Sequence, residues 1–142
     1  MTHRESTTLA SLDDITAFWR ARMEPLGFSE PAFWMTTIHA DAPSDVLIEV
    51  GDLPAAPTQE DVGGLAALLT HITAEDPGAR IAMLLARPGG GGPTADDRAW
   101  AAALIEAARQ ADVACGPVHL ATDHALDVIP PEACDPGVIR AR

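Results

Sequence analysis

Ile81-Ala-Met-Leu-Leu-Ala86-Arg87-Pro-Gly-Gly-Gly-Gly-Pro93-Thr94-Ala-Asp-Asp97 decides the architecture of this 142-residue chain. Six consecutive apolar residues leave no polar face, the mark of a strand buried on both sides. Four glycines between two prolines cannot prolong it and read as a loop. Thr94, with Asp97 three residues on, then starts an alanine-rich helix that runs to about Ala111 and buries Trp100, Leu104 and Ile105. A buried strand thus feeds a loop and a helix N-terminus, the place where open α/β sheets tend to hold ligands.

The same logic extends outward. Ser11 caps a helix whose Leu12, Ile15, Phe18, Trp19 and Met23 recur at helical spacing, ended by Pro25 and Gly27. Residues 32–40 and 46–50 are rich in β-branched and aromatic types and form an antiparallel hairpin around the turn at 41–45. Adjacent Phe33 and Trp34 must then face opposite sides of the sheet. Thr58 caps a second helix with Leu65, Leu68, Leu69 and Ile72 as its buried stripe. Gly63-Gly64 within it is expected to allow a close approach to the sheet, and Asp76-Pro-Gly78 to end it. Residues 112–116 link to a strand at 117–121, and Leu126-Asp-Val-Ile129 has the composition of a short edge strand. The order is α-β-β-α-β-α-β, and strands joined through helices should run parallel with right-handed crossovers. The expected fold is α/β: a three-layer α/β/α sandwich with a mixed sheet, one domain over residues 1–142 with loose tails at 1–10 and about 131–142.

Acidic residues outnumber basic ones 21 to 9, for a formal charge of −12, and every basic residue is arginine. Such a chain repels phosphate backbones, so nucleic acid is not an expected partner. No apolar run approaches the roughly 20 residues of a membrane helix. Cys115 and Cys134 form no C-x-x-C pair, and the expected location is cytoplasmic.

Leu85-Ala-Arg87-Pro88-Gly-Gly90, followed by Pro93-Thr94-Ala-Asp-Asp97, resembles the RadC-like branch of the JAB/MPN domain, within the cytidine-deaminase-like architecture. That family follows a buried strand with His-x-His-Pro-Ser-Gly and then Pro-Ser-x-x-Asp at a helix start. The resemblance covers residues 30–122 and rests on Pro88, Gly90, Pro93 and Asp97, with Thr94 standing for serine. It implies a Zn²⁺ site made of two imidazoles and the aspartate. Here Leu85 and Arg87 occupy the histidine places: one has no donor atom, the other is a permanent cation. Deaminases carry His-x-Glu at the second helix and Pro-Cys-x-x-Cys at the third. This chain has Thr58-Gln-Glu60 and Pro93-Thr-Ala-Asp-Asp97, so the metal ligands are again replaced.

No catalytic residue, metal or cofactor is therefore expected. Ser11-x-x-Asp14, Thr58-x-x-Asp61 and Thr94-x-x-Asp97 share one capping signature, which explains Thr94 and Asp97 without chemistry. The expected function is a non-catalytic domain that binds a protein partner or itself. The competing expectation is a hydrolase or small-anion site built from Arg87, Gly89, Gly90, Gly91, Thr94, Asp96 and Asp97. It lacks a Walker-type Lys-Ser/Thr ending, and Asp96 and Asp97 oppose a phosphate. His39, Asp41, Cys115, His119, Asp123, His124 and Cys134 are further ligand-type residues. Their spacing matches no metal motif, and no Gly-x-Ser-x-Gly elbow occurs.

Overall fold

The computed structural model describes residues 11–43, 47–76 and 78–129. Both expected tails, with Cys134, and residues 44–46, the end of the expected turn and the first residue of the strand after it, lie outside the described residues. In chain order the elements are α1 (Leu12–Met23), β1 (Ala32–His39), β2 (Ala42–Pro43), β3 (Ile48–Val50), α2 (Gln59–Ile72), β4 (Arg80–Ala86), α3 (Ala95–Gln110), β5 (Ala114–Cys115), β6 (His119–Ala121) and β7 (Leu126–Val128).

The all-apolar β4 sits mid-sheet, as its composition requires. It pairs antiparallel with β1 from Ala32↔Ala86 to Ile38↔Arg80, and parallel with β5 and β6. β2 and β3 border the far edge of β1, and β7 borders β6, all antiparallel. The sheet is mixed and the fold is α/β. The strand joined to β4 through α3 is parallel to it, as expected. The strand before α2 has the same direction but is separated from β4 by β1.

Alternation along β4 splits its side chains between two cores. Ile81, Met83 and Leu85 cluster with Phe33, Val62, Leu65 and Leu104, so α2 and α3 pack on this side. Ala82, Leu84 and Ala86 cluster with Ile15, Phe18, Trp19 and Met23 of α1. Phe33 is fully buried in the first cluster, whereas Trp34 is half-buried against the second. Alanines fill α3 at 99, 101–103, 107 and 108, and all of them are buried. Ile105 of this helix is only partly buried.

Several local expectations need correction. Leu12 remains 43% exposed, because it sits in the first turn of α1, before the helix meets the sheet. Gly63 and Gly64 face solvent, and a Cβ at either would touch nothing, so they do not serve a close approach. α2 stops at Ile72, earlier than Asp76-Pro-Gly78, where the Thr73 hydroxyl donates to the Leu69 carbonyl at 2.8 Å. The expected linker at 112–116 contains β5, and Pro117, which lacks an N–H, falls in the gap before β6. Part of the turn after β1 is also paired. Ala40 and Asp41 take positive φ (52° and 65°) and return the chain as β2.

Candidate functional site

β4 ends beside the start of α3, and a cavity of about 240 Å³ opens there. Ala32, Leu53, Leu85 and Trp100 form its walls; Arg87, Thr94, Asp96 and Asp97 supply its polar groups. Leu85 in β4 and Arg87 just past its end both line this cavity. The two positions matched to metal-binding histidines thus share one cavity with Asp97.

All three capping boxes form as expected: Ser11, Thr58 and Thr94 each accept from the backbone N–H three residues on, and Asp14, Asp61 and Asp97 reciprocate. Asp97 does more than cap. Its carboxylate accepts from Arg87 Nε at 2.9 and 3.0 Å while Oδ2 also accepts from the Thr94 N–H at 2.8 Å. The two side chains are 17% and 9% exposed, so this is a largely desolvated ion pair. The remaining guanidinium nitrogens donate to the carbonyls of Pro88, Gly90 and Gly92. Arg87 therefore holds the glycine loop from within.

Asp123 holds the same loop from outside. It accepts from the Gly89 N–H at 2.8 Å and the Phe28 N–H at 2.9 Å, and its own N–H donates to the Gly89 carbonyl. These backbone hydrogen bonds, Gly89's first and Phe28's second, lower the Asp123 pKa. Gly89 and Gly91 adopt φ of +90° and +79°, which glycine permits without a Cβ penalty. The His124 ring lies over Gly90, 2.7 Å from where a Cβ would stand. Asp123→Ala is expected to accelerate amide hydrogen exchange at Gly89 and Phe28 while the strand amides of β4 keep their protection. Unchanged exchange at Gly89 would show that Arg87 alone orders the loop.

His39, His119 and His124 do not converge. His39 pairs with Asp76 at 2.8 Å near the far end of β1, His124 covers the glycine loop, and His119 is buried beneath α1. Arg80 binds Asp41 at 2.9 Å. Cys115 is a free, half-buried thiol whose pKa is raised by desolvation. No group of three His, Cys, Asp or Glu side chains is arranged to hold a metal among the described residues. The donor set around the cavity does not fit Zn²⁺ either: Leu85 offers no ligand atom, and a guanidinium occupies Asp97.

A second cavity, of about 380 Å³, adjoins the first. Trp100 and Pro54 stand between them, joined by a 2.9 Å hydrogen bond from the indole N–H to the Pro54 carbonyl. Phe33, Val50 and Leu65 line it with Asp52, Glu60 and Asp61. Glu60, matched to the deaminase glutamate, lines this cavity and not the one holding Asp97. The second cavity was not foreseen, since its residues come from four separate segments with no motif.

No family model, curated protein or solved structure matches this chain. Among the described residues, no helix is long and apolar enough to cross a membrane.

Proposed function

We propose that this chain is a non-catalytic interaction domain on a scaffold resembling the RadC-like branch of the JAB/MPN domain, one whose metal chemistry has been replaced by a structural ion pair. The Arg87–Asp97 pair carries this reading. A permanent cation is fixed at 2.9 Å from the carboxylate that would otherwise be a ligand, and a positive charge there opposes any divalent ion. The pair also speaks against the anion-binding alternative. Arg87 directs its donors at Asp97 and three loop carbonyls, leaving the Asp96 carboxylate to repel an incoming phosphate.

Protein purified without a histidine tag should carry no stoichiometric Zn²⁺. One Zn²⁺ per chain, lost in Asp97→Ala, would reverse the proposal in favour of a metallohydrolase. Light scattering at rising concentration separates the two kinds of partner. A monomer throughout assigns the interaction to a different protein; a concentration-dependent doubling of mass assigns it to a second copy.

A further inference from the structure

We propose that α1 is a detachable strap: it opens from the sheet as a unit while α2, α3 and the strands stay folded, and mild acid drives the opening through His119. This goes beyond the interaction-domain reading and does not depend on it.

The two sides of the sheet are held unequally. One carries α2 and α3 over the larger apolar cluster. Among the described residues, α1 is the one helix on the other side, where it buries Ile15, Phe18, Trp19 and Met23. Trp19 Nε1 and His119 Nδ1 are buried without a hydrogen-bond partner among the described residues, and both belong to this contact. Each gives up its hydrogen bond to water on docking and gains none in return. Release of α1 restores both, so the unfavourable side of docking is concentrated at one contact. Contacts of low local stability open before the fold as a whole.

The polar ties across this contact are modest. Thr16 meets His119 Nε2 at 2.7 Å, and Arg20 Nη2 donates to the Leu126 carbonyl at 3.4 Å. Past the helix, Glu24, Pro25 and Gly27 are exposed, and Gly27 has a φ of +142°. The next tie is the Phe28 N–H, which donates to Asp123 at 2.9 Å. Gly27, with no Cβ, supplies a hinge, and Asp123 keeps the base of the strap anchored.

His119 makes the contact sensitive to pH. The ring faces Thr16 on α1, with Leu84 beside it on β4 and Val128 beside it on β7. The charged groups of these elements are engaged or exposed elsewhere. Arg80 of β4 pairs with Asp41, and Asp127 of β7 is exposed opposite Leu120. On α1, Asp13 is exposed, Asp14 closes the cap, Arg20 pairs with Glu24 and Arg22 lies over Phe18. None of them is placed to stabilise an imidazolium, and burial lowers the His119 pKa from 6.5 to about 4. Once α1 is released the ring titrates normally, so the open population rises as pH falls below 6.5 and levels off near 4.

The test is amide hydrogen exchange on the full chain at pH 7 and pH 5, corrected for intrinsic rates and repeated in low urea. Amides from Phe18 to Met23 should be at least about tenfold less protected than those of Met83, Leu84 and Leu85, with a smaller urea dependence. Between pH 7 and 5, α1 protection should fall about twentyfold more in the native chain than in His119→Gln, the ratio set by pKa values of 6.5 and 4. Equal protection and equal urea dependence in α1 and β4 would mean that α1 opens only with the whole fold, and would overturn the strap. An equal fall in His119→Gln would assign the acid response to carboxylates and overturn the switch. If that variant does not fold, the native His119 ring resonances decide. Proton uptake in step with the loss of α1 protection supports the proposal, whereas uptake near pH 6.5 with α1 still protected overturns it.

Discussion

Asp97→Ala is expected to remove about 4 kcal/mol of folding stability, about 1 from the cap and about 3 from the ion pair, against about 1 kcal/mol for Asp61→Ala. Both residues close the same kind of capping box, with nearly the same hydrogen bonds at 2.8–3.1 Å. Helix capping is therefore common to the two variants and cancels in their comparison. What remains is the cost of leaving the Arg87 guanidinium, 17% exposed, without its counter-charge. Removing one partner of a buried ion pair costs roughly 3–5 kcal/mol. The lower figure applies here because three loop carbonyls still accept from Arg87.

Asp97→Asn separates charge from geometry. The amide oxygen can still accept from the Thr94 N–H, so the cap survives and only the charge pairing is lost. Its cost should fall between those of the two alanine variants. Arg87→Met/Asp97→Ala should be more stable than Asp97→Ala alone, since no unpaired cation remains; the two positions touch and will not be additive. Urea titrations of these variants decide the matter. Equal losses for Asp97→Ala and Asp61→Ala would mean that Arg87 contributes nothing through Asp97, and the support for a replaced metal site would go with it.

Thr94 and Asp97 show why part of this site is readable from sequence and part is not. A capping box closes within four residues, so its partners are fixed by local spacing, and all three boxes form where Ser/Thr-x-x-Asp occurs. Sequence reasoning concludes from this sameness that the third box, like the others, serves only its helix. The structure shows how it differs from the second, since Asp97, unlike Asp61, also receives an arginine, from ten residues upstream. That contact depends on the path of the glycine loop, where φ is free to be positive and apolar periodicity says nothing. The β4 assignment is secure for the opposite reason: six apolar residues in a row admit few environments. Asp123 reaches Gly89 and Phe28 across 34 and 95 residues, distances over which no spacing rule operates. Ala40 at positive φ is hidden too, because alanine carries no turn signal there.

Acidification from pH 7 to 4 is expected to destabilise the native chain by about 3 kcal/mol more than it destabilises His119→Gln. His119 has no exposed surface, and burial lowers its pKa from 6.5 to about 4. The hydrogen-bond pattern indicates which nitrogen carries the proton. The Thr16 hydroxyl donates to the Leu12 carbonyl at 3.0 Å and lies 2.7 Å from His119 Nε2. Its one hydrogen being committed, it accepts from Nε2–H, and Nδ1 keeps a lone pair that finds no partner among the described residues. A proton added to Nδ1 would place a buried charge between α1 and the sheet with nothing to pair it. The unfolded chain takes up that proton near pH 6.5 and the folded chain refuses it until about 4. The contribution of neutral His119 is thus complete above about 6.5 and is lost progressively as pH falls to about 4. Glutamine can still donate to Thr16 but does not titrate, so the difference between the two stability curves isolates His119. Effects of the chain's many carboxylates enter both curves and cancel. Parallel curves over this range would mean that the imidazole takes up its proton without opposing the packing of α1. A gap that opens below pH 6.5 would identify the α1–sheet contact as the acid-sensitive part of the fold.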